Sequence, residues 1–410
     1  MNILFLSGWF PYPPDNGARL RVYNMIQQLA THHEIALLSF AREGRPTPKD
    51  TPITSHCRVI GTVPFQPFQP YRLQALLGLV SPQPRSLTAT RSPEMEAMIQ
   101  RALRAQAYDL VIASEIGPGT GMSSYARDLA RACPEQGRRI PCVVEDLELS
   151  MIQGGIRAQR SRLGQWRRRL TWWKLKNYIP RLLKDMAGCT VASAEEKRLV
   201  EQLAVHGFPV AVVPNGVDVN SYAGDFGSPE PDSLIFSGAL TYGANWEAMQ
   251  FFLTQVFPLV KAQRPDTTLR ITGHTDGTSQ ERLPQQPGVI FTGYLEDVRP
   301  AIAQSWISVV PLRRGGGTRL KILEAMALGT PVVATAKGAE GIEARPGQDL
   351  LVADDPASFA QAVVRLLANP ALRQQLSSNG RRLVKQQYDW KAIGARFDAF
   401  LQKVMVRCRR

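Results

Sequence analysis

A glycine-rich loop followed by charged residues is the part of this sequence best equipped to bind an anionic ligand. Its three glycines allow backbone N–H groups to approach an anion closely, and a helix that starts just after the loop adds the positive end of its dipole. Thr318 could cap that helix or bond a phosphate oxygen. Glu324 follows Lys321 by three residues on the same helix surface, and its carboxylate suits sugar hydroxyls beside a bound diphosphate. The candidate residues are Gly315, Gly316, Gly317, Thr318, Arg319, Lys321 and Glu324.

The segments on either side of this loop predict a parallel sheet. Residues 307–312 form a short apolar run rich in β-branched side chains, which is typical of a buried strand, and 331–335 form another. Residues 318–328 have helical spacing and end at Gly329. The predicted inner face of this helix comprises Leu320, Leu323 and Ala327. A strand, helix and strand in this order form a βαβ unit. On the loop alone, a structural glycine turn with a solvated Arg and Lys rim is an equally good interpretation.

The run from Arg319 to Thr335, RLKILEAMALGTPVVAT, resembles the donor-site signature of retaining glycosyltransferase family 4. The resemblance implies a two-domain GT-B fold and a contact between Glu324 and the ribose of a nucleotide. Members commonly carry an earlier glutamate on the donor sugar, and that glutamate would fall at Gly316 in this sequence. Because the sequence has GGGTRLKILEA at this place, we interpret the chain as a member of a subgroup and not as an inactive relative.

A predicted strand end at Gly238 fits the same resemblance with one difference. The family usually has an arginine just after this glycine and a lysine a few residues on, both on the donor diphosphate. This sequence has Ala239 there and no lysine before Lys261, so the diphosphate must be held in another way. The nearest basic candidates in the motif are Arg319 and Lys321, with Arg313 or Arg314 as a second choice.

Two more runs resemble parts of the family. The sequence PNGVD at 214–218 resembles the end of the first domain, and Asn-Gly is a turn signal in its own right. The predicted strand at 289–292 ends in a turn that resembles the base-binding turn of the family. The residues of this turn are Gly293, Tyr294 and Leu295.

Strand ends in the first half of the chain supply candidates for an acceptor side of the cleft. The predicted first strand, 2–6, is followed by a loop and an amphipathic helix at 18–31. In the family such strand ends carry cleft residues, often histidine, but the strands at 108–114 and 142–144 are followed by acidic residues here. With no histidine at either place, the catalytic residue stays unassigned. The candidates are Asp15, Gly17, Arg19, Arg21, Glu115, Glu145 and Asp146.

Two of these candidates have structural alternatives. Arg21 could be a solvated arginine after a proline-rich turn. The acidic run EDLE at 145–148 could be the start of a helix whose dipole it complements. The predicted inner face of the helix at 18–31 comprises Leu20, Tyr23, Ile26, Leu29 and Ala30.

Residues 157–184 carry ten basic residues and no acidic one, within a net charge of +14 for the chain. Helical spacing places one apolar stripe on this segment, comprising Leu163, Trp166, Leu170 and Trp173. A basic helix bordered by tryptophans suits an anionic membrane surface. A solvated basic face whose aromatics pack into the domain is an equally good interpretation. Nucleic acid ranks last, because no known nucleic-acid module is present.

Length and composition bound the remaining possibilities. A chain of 410 residues predicts two domains, and we expect boundaries of 1–208, 209–386 and a returning C-terminal helix at 387–410.

The five cysteines are odd in number and lack CxxC spacing, which favours a reducing compartment and argues against structural zinc. The apolar start at 1–6 has no basic n-region, so it predicts a strand and not a signal peptide. We therefore expect a cytoplasmic protein, peripheral on the inner face of the membrane.

The expected architecture is α/β, with two Rossmann-like doubly wound domains facing across a cleft as in GT-B enzymes. The expected function is transfer of a sugar from a nucleotide-sugar donor to a glycan, lipid-linked or small-molecule acceptor, with retention at the anomeric carbon. No Asp-x-Asp motif occurs in the sequence, so we expect no metal and no cofactor beyond the nucleotide-sugar co-substrate. The alternatives are a non-catalytic sugar-nucleotide-binding partner of a glycan-assembly complex, and another GT-B enzyme such as an epimerase or a phosphorylase.

Overall fold

The structure is a computed structural model of the 410-residue chain. It describes residues 1–41, 51–69, 75, 78–114, 121–131, 140–149, 161–275, 283–315 and 318–409. The chain divides into two compact units, Met1–Asn215 with Ile393–Arg410, and Gly216–Ala392.

The first unit contains a parallel sheet of seven strands in the order β3-β2-β1-β4-β5-β6-β7. Its strands are β1 (Asn2–Ser7), β2 (Glu34–Ala41), β3 (Arg58–Pro64), β4 (Leu110–Ser114), β5 (Cys142–Glu145), β6 (Gly188–Val191) and β7 (Val210–Val212). The central strand β1 is apolar and buried from Ile3 onward, because helices cover both faces of a doubly wound parallel sheet. The described helices of this unit are α1 (Gly17–Leu29), α2 (Arg85–Ala89), α3 (Pro93–Ala105), α4 (Met122–Arg131), α5 (Arg162–Leu183) and α6 (Ala194–Leu203).

The second unit repeats this winding with a parallel sheet of six strands in the order β10-β9-β8-β11-β12-β13. Its strands are β8 (Glu230–Ser237), β9 (Thr268–Thr272), β10 (Val289–Gly293), β11 (Ser305–Val310), β12 (Val332–Ala334) and β13 (Leu351–Val352). Its helices are α7 (Gly243–Phe251), α8 (Phe257–Gln263), α9 (Arg299–Ala303), α10 (Leu320–Leu328), α11 (Ala336–Ala339), α12 (Pro356–Ala368) and α13 (Pro370–Leu383). A turn of π-helix at Phe252–Val256 joins α7 to α8, and another at Val384–Tyr388 follows α13.

The last helix, α14 (Trp390–Arg409), starts in the second unit and belongs to the first unit from Ile393 onward. The predicted domain start at residue 209 lies just before β7, which pairs with β6 in the first sheet. The first unit therefore extends to Asn215, within the PNGVD run. Two doubly wound parallel sheets confirm the predicted α/β fold class.

The inner face predicted for the first helix is partly wrong. The buried residues of α1 include Val22, Met25, Ile26 and Leu29, but Leu20, Tyr23 and Ala30, which were predicted to point inward, are only partly buried. Two arginines, Arg19 and Arg21, are buried in their place. A hydrophobic pattern cannot reveal this, because a buried arginine needs a carboxylate partner from a distant part of the sequence.

Candidate functional site

The glycine loop lies at the topological switch point of the second sheet. The strand β11 pairs with β8 on one side and with β12 on the other. Connections from β8 run toward β10, whereas connections from β11 run toward β13, so the loops after β8 and β11 diverge. In open parallel sheets ligands bind at this point, at the carboxyl ends of the strands. Gly315 and Arg319 follow β11 at this position, and the turn at Gly238 follows β8 there.

The helix after the loop begins later than predicted. It starts at Leu320, and the N-cap residue is Arg319, which makes no side-chain cap hydrogen bond, so the prediction that Thr318 caps this helix is wrong. Its buried face is broad, because the helix covers the sheet. The fully buried residues are Ile322, Leu323, Ala325, Met326 and Leu328. Leu320 and Ala327, predicted to point inward, are only partly buried. Gly329 ends the helix in the left-handed conformation (φ 78°), as predicted.

The side chain of Arg319 contacts the first residue of the glycine loop. Its side chain is buried, and Nη2 donates a hydrogen bond to the Gly315 carbonyl at 2.9 Å. The same nitrogen lies 3.4 Å from the Lys337 carbonyl. Gly315 has φ 104°, where a side chain would be strained, and a Cβ there would lie 3.2 Å from the Tyr242 hydroxyl. Arg319 therefore fixes the loop and adds positive potential beneath it. Gly316 and Gly317 lie outside the described residues.

Lys321 brings a cation to the end of β8. Its Nζ donates to the Asn245 side-chain oxygen at 3.0 Å and lies 4.0 Å from the centre of the Phe236 ring. A Cβ at Gly238 would lie 2.6 Å from this Nζ and 2.8 Å from the Asn245 amide nitrogen, so a side chain at position 238 would force both groups to move. Burial lowers the pKa of Lys321 to about 7, with Glu324 opposing and Arg319 adding to the shift. The end of β8 lacks the basic residues expected from the family resemblance. In the fold, the ammonium of Lys321 lies beside it instead.

Glu324 accepts a hydrogen bond from a tyrosine that was not among the site residues predicted from the sequence. The Tyr222 hydroxyl lies 3.4 Å from Glu324 Oε1 and donates a hydrogen bond to it. Burial raises the pKa of Glu324, while this hydrogen bond and the charge of Lys321 oppose the rise. Burial also raises the pKa of Tyr222, and the nearby carboxylate raises it further. The phenol therefore stays a donor and holds the carboxylate one turn into α10.

The turns after β9 and β10 complete this edge of the sheet. Gly293 ends β10 with φ 69°, and its carbonyl accepts a hydrogen bond from the Gly273 N–H at 2.8 Å. Tyr294 is exposed and stacks on His274, with ring centres 4.3 Å apart and an interplanar angle of 15°. Leu295 is partly buried beside them. An exposed aromatic pair at strand ends offers a flat apolar surface suited to a planar ring.

The second-choice arginines are engaged with α7. Arg313 lies over the Phe251 ring at 5.0 Å, and Arg314 pairs with Glu247 and donates to the Gly243 carbonyl at 3.0 Å. Their described contacts therefore lie on α7, the helix that also carries Asn245, the hydrogen-bond partner of Lys321.

The acceptor-side candidates form a buried ionic cluster in the first unit. Arg21 Nε lies 2.6 Å from Glu145 Oε1 and 3.3 Å from Asp146 Oδ2. Its Nη1 donates to Asn215 at 2.9 Å, and Ser114 donates to the other Glu145 oxygen at 2.7 Å. The side chains of Arg21 and Glu145 are 1% and 0% exposed, so the solvated alternative for Arg21 is wrong.

The acidic run at 145–148 does not start a helix. Glu145 is the last residue of β5, and Asp146 follows in the left-handed conformation with φ 58°. Burial and the neighbouring carboxylates raise the pKa of Asp146 to about 7, against the opposing charge of Arg21. The alternative of a helix-dipole cluster is therefore wrong, and the acidic pair is the partner of Arg21.

The remaining candidates of this unit lie near the start of α1. Gly17 is its first residue, and Asn16 caps it by accepting from the Arg19 N–H at 3.1 Å. The buried Arg19 pairs with Asp15 at 2.7 Å. Glu115 lies outside the described residues.

The basic segment is described from residue 161 onward, so Arg157 and Arg160 lie outside the described residues. Most of it is the helix α5, whose buried face comprises Lys174, Leu175, Tyr178, Ile179, Leu182 and Leu183. Trp166 and Trp173, which share the predicted apolar stripe, are 58% and 60% exposed. The alternative in which these two tryptophans are core residues is wrong. Among the described residues, no helix is long and apolar enough to cross a membrane.

Comparison with known proteins agrees with this fold. The family model for Glycosyltransferase Family 4 matches residues 15–221, and the model for group 1 glycosyl transferases matches residues 231–369. The first of these matches covers half of the chain. The chain therefore belongs to glycosyltransferase family 4, as its signature predicted.

Individual relatives are more distant. A phosphatidyl-myo-inositol mannosyltransferase from Mycobacterium tuberculosis is 30% identical over 211 residues, which is 47% of this chain and 54% of that protein. The chain spans about half the length of the curated relatives it matches.

Solved structures show the GT-B fold over the full length. Sucrose-phosphate synthase from Thermosynechococcus elongatus aligns with a TM-score of 0.68 at 17% identity, covering 99% of this chain and 100% of that one. HepE from Anabaena, in complex with UDP, aligns with a TM-score of 0.65 at 16% identity, covering 98% and 100%.

Proposed function

We propose that this protein transfers a sugar from a nucleotide-sugar donor to an acceptor hydroxyl, with retention and without a metal ion. The observation that carries the proposal is the arrangement at the switch point of the second sheet. There a glycine loop, a helix start, the ammonium of Lys321 and the carboxylate of Glu324 share one edge. Family membership and the UDP complex of the similarly folded HepE support it.

Each part of the donor matches a chemical feature of this edge. The diphosphate is held by the loop amides, the helix dipole and Lys321, which together supply positive potential. The ribose hydroxyls donate to Glu324, whose position Tyr222 fixes. The base stacks beside the aromatic pair of Tyr294 and His274.

The proposal that no metal ion is needed rests on the dipoles and cations around the expected position of the diphosphate. As the sugar leaves, negative charge develops on the diphosphate, and preorganised dipoles and cations can stabilise it in the place of Mg²⁺. Lys321 is a partly buried cation at the end of β8, and its pKa near 7 rises when a phosphate approaches. The sequence contains no Asp-x-Asp pair that would hold a divalent ion.

The test is a turnover assay with a panel of UDP-, GDP- and TDP-sugars, run with EDTA and with added Mg²⁺ or Mn²⁺. We expect slow hydrolysis or transfer from one donor class, unchanged by EDTA, and an α-configured product from an α-configured donor. Activity that disappears in EDTA and returns with metal would contradict metal independence. Tight binding of a sugar nucleotide without turnover would favour the non-catalytic partner.

We also propose that the acceptor is presented at an anionic membrane surface, reached through the basic helix α5. Trp166 and Trp173 are exposed on this helix together with Arg167, Arg168 and Arg169. Lys174 donates to the carbonyls of Gly78 and Leu79, both at 2.8 Å, and so fixes a turn in which Val80 is 88% exposed. Exposed apolar side chains beside exposed arginines are typical of surfaces that contact lipid headgroups.

Vesicle co-sedimentation tests this surface. We expect binding to anionic but not to neutral vesicles, falling as salt is raised. Replacing Arg167, Arg168 and Arg169 by glutamate should abolish it. A matched control replaces three arginines outside this segment, Arg365, Arg382 and Arg396, by glutamate. Equal loss in both triple variants would show a general charge effect, and no binding at low salt would leave α5 as a solvated basic face.

A further inference from the structure

The second unit contains a polar pocket of about 500 Å³ at the amino-terminal edge of its sheet. It is bordered by Ser305 and Trp306, the first residues of β11, and by Pro331, just before β12. The loops of the candidate donor site follow the same strands at their opposite, carboxyl ends. The pocket thus lies at the opposite end of these strands from Gly315 and Lys321, although Tyr222 in its lining also contacts Glu324, and its volume is that of a small-molecule site.

Two arginines of α13 line this pocket. Arg373 donates through Nη1 to the carbonyls of Leu366 and Leu367, at 2.6 and 2.9 Å, and its guanidinium lies 3.8 Å from the centre of the Trp306 ring. Arg381 donates through Nη2 to the Leu328 carbonyl at 2.6 Å. A Cβ at Gly329 would lie 2.4 Å from Arg381 Nε, so this glycine lets the guanidinium lie against the helix end. Both groups are thus held in place by neutral carbonyls.

The positive charge of these arginines is not neutralised within the described part of the chain. The ion pairs of the described residues include neither Arg373 nor Arg381. Asp232 attracts Arg373, but it is already engaged by Arg264 at 2.7 and 2.9 Å. The one carboxylate that lines the pocket, Asp225, accepts the Gly227 N–H at 3.0 Å. The hydrogen bonds within the described residues do not use the Nε groups or the second terminal nitrogens of these arginines, and guanidinium N–H groups are well suited to phosphate oxygens.

The rest of the lining contains polar side chains together with apolar residues such as Ala303 and Leu328. Ser377 lies one turn from each arginine on α13, at spacings of four residues, and Gln374 is beside it in the lining. Opposite them, the segment at 222–229 is held by Gln304, which donates to the Phe226 carbonyl at 2.9 Å. Hydroxyl and amide groups around two guanidinium groups match a ligand that carries both a phosphate and hydroxyl groups.

We propose that this pocket binds a small phosphate monoester, of the size and polarity of a hexose phosphate. The arginines bind the phosphate, and Ser377 and Gln374 bind hydroxyl groups of the sugar. A bare phosphate ion would fill only a small part of the 500 Å³ volume.

Occupancy of the pocket is coupled to the donor site through Tyr222. This residue lines the pocket, and its hydroxyl is the hydrogen-bond donor to Glu324. A ligand that moves Tyr222 changes the position of the carboxylate, and linkage makes the effect reciprocal. This coupling rests on the proposed function, because it is read out as a change in nucleotide affinity.

Calorimetric titration of the full chain with glucose 6-phosphate, in saturating UDP to block the donor site, tests the proposal. We expect saturable binding that weakens about tenfold or more in Ser377→Glu and in Arg373→Gln, because each removes positive potential from the pocket. Arg382→Gln, an equal loss of charge on the same helix outside the pocket, should change affinity less than about twofold. Ser377→Glu keeps the result interpretable if Arg373→Gln fails to fold.

Glucose and inorganic phosphate separate the parts of the ligand. Glucose alone should not bind, and inorganic phosphate should bind more weakly than the sugar phosphate; equal binding of the two would overturn the sugar-phosphate assignment. No saturation up to about 10 mM, or binding that both pocket variants retain, would overturn the site itself. UDP affinity measured with and without glucose 6-phosphate should differ about fivefold in the wild type and not in Ser377→Glu. If UDP does not bind at all, the proposed function fails while the sugar-phosphate titration still reports the pocket.

Discussion

Both sheets place charged side chains at the carboxyl ends of their central strands, but the two groups are organised differently. In the first unit the charges meet directly, with Arg21 2.6 Å from Glu145 and 3.3 Å from Asp146. In the second unit Lys321 contacts an amide and an aromatic ring, and Glu324 contacts a phenol. A direct pair satisfies its own charges, whereas charges held by neutral groups keep capacity for a ligand. The first cluster should therefore govern stability and the second should govern binding.

The largest effect is expected from breaking the first cluster. Arg21→Met leaves Glu145 and Asp146 buried without their cation, and such a loss destabilises a protein by about 3–5 kcal/mol. Urea unfolding monitored by fluorescence measures it. The matched control is Arg91→Met, which breaks an exposed pair with Glu96 and should cost about 1 kcal/mol or less. Equal costs for the two variants would show that burial of the first cluster contributes nothing.

Lys321→Met should weaken UDP binding and change stability little, the reverse of what is expected for Arg21→Met. It removes the cation expected on the diphosphate, and UDP affinity should fall by about 1.5–3 kcal/mol, the range for a charge-assisted hydrogen bond. Stability should change little, because a buried ammonium is costly to hold and its packing volume is kept. Calorimetry and urea unfolding on the same preparation separate the two outcomes. A variant that unfolds like Arg21→Met and binds UDP normally would remove the distinction between the clusters.

Glu324→Gln should weaken UDP binding by about 1–3 kcal/mol, because a charged acceptor facing the ribose is replaced by an amide. Glu230→Gln is a suitable control, since this exposed carboxylate is paired with Arg270 in the same unit, at the amino-terminal end of β8. Titration with UDP and with 2′,3′-dideoxy-UDP sharpens the result. The wild type should lose affinity for the dideoxy ligand, and the variant should not distinguish the two ligands. An unchanged UDP affinity would place the ribose elsewhere.

The pH dependence of UDP binding should show the smallest effect. Because burial lowers the pKa of Lys321 to about 7, the free site is charged below pH 7 and neutral above it. Binding above pH 7 then requires proton uptake, so affinity should fall about tenfold from pH 6 to pH 8. The free energy of unfolding should rise with pH between pH 7 and the ordinary pKa of 10.5. In this range the unfolded chain holds a proton on Lys321 that the folded chain has lost. In Lys321→Met the part of the pH dependence of UDP affinity that comes from this lysine should disappear. The dependence that remains in the variant measures the titration of UDP itself.

The sequence was sufficient for the features that rest on local pattern. Buried strands, the βαβ unit around the glycine loop and the glycine stop at Gly329 all follow from periodicity and backbone preference, and the structure has them. The burial of Arg21 was not predictable in this way, because its partners lie at the end of another strand, 124 residues away in the case of Glu145. Helical spacing placed Trp166 and Trp173 on one stripe correctly but could not tell which side faces the solvent.

The candidate site shows the same division. The loop, Lys321 and Glu324 were identified from one continuous motif. Tyr222 and Asn245, which position them, lie 102 and 76 residues from their partners in sequence. A tyrosine in a linker and an asparagine at a helix start carry no signal of their own.

The contact between Lys321 and Gly238 has a consequence for how this site can change over evolutionary time. A side chain at position 238 would displace the Lys321 ammonium and the Asn245 amide, whereas a shorter residue at position 321 would remove the first of these conflicts. The two positions should therefore vary together among relatives, with lysine at 321 found only where 238 is glycine.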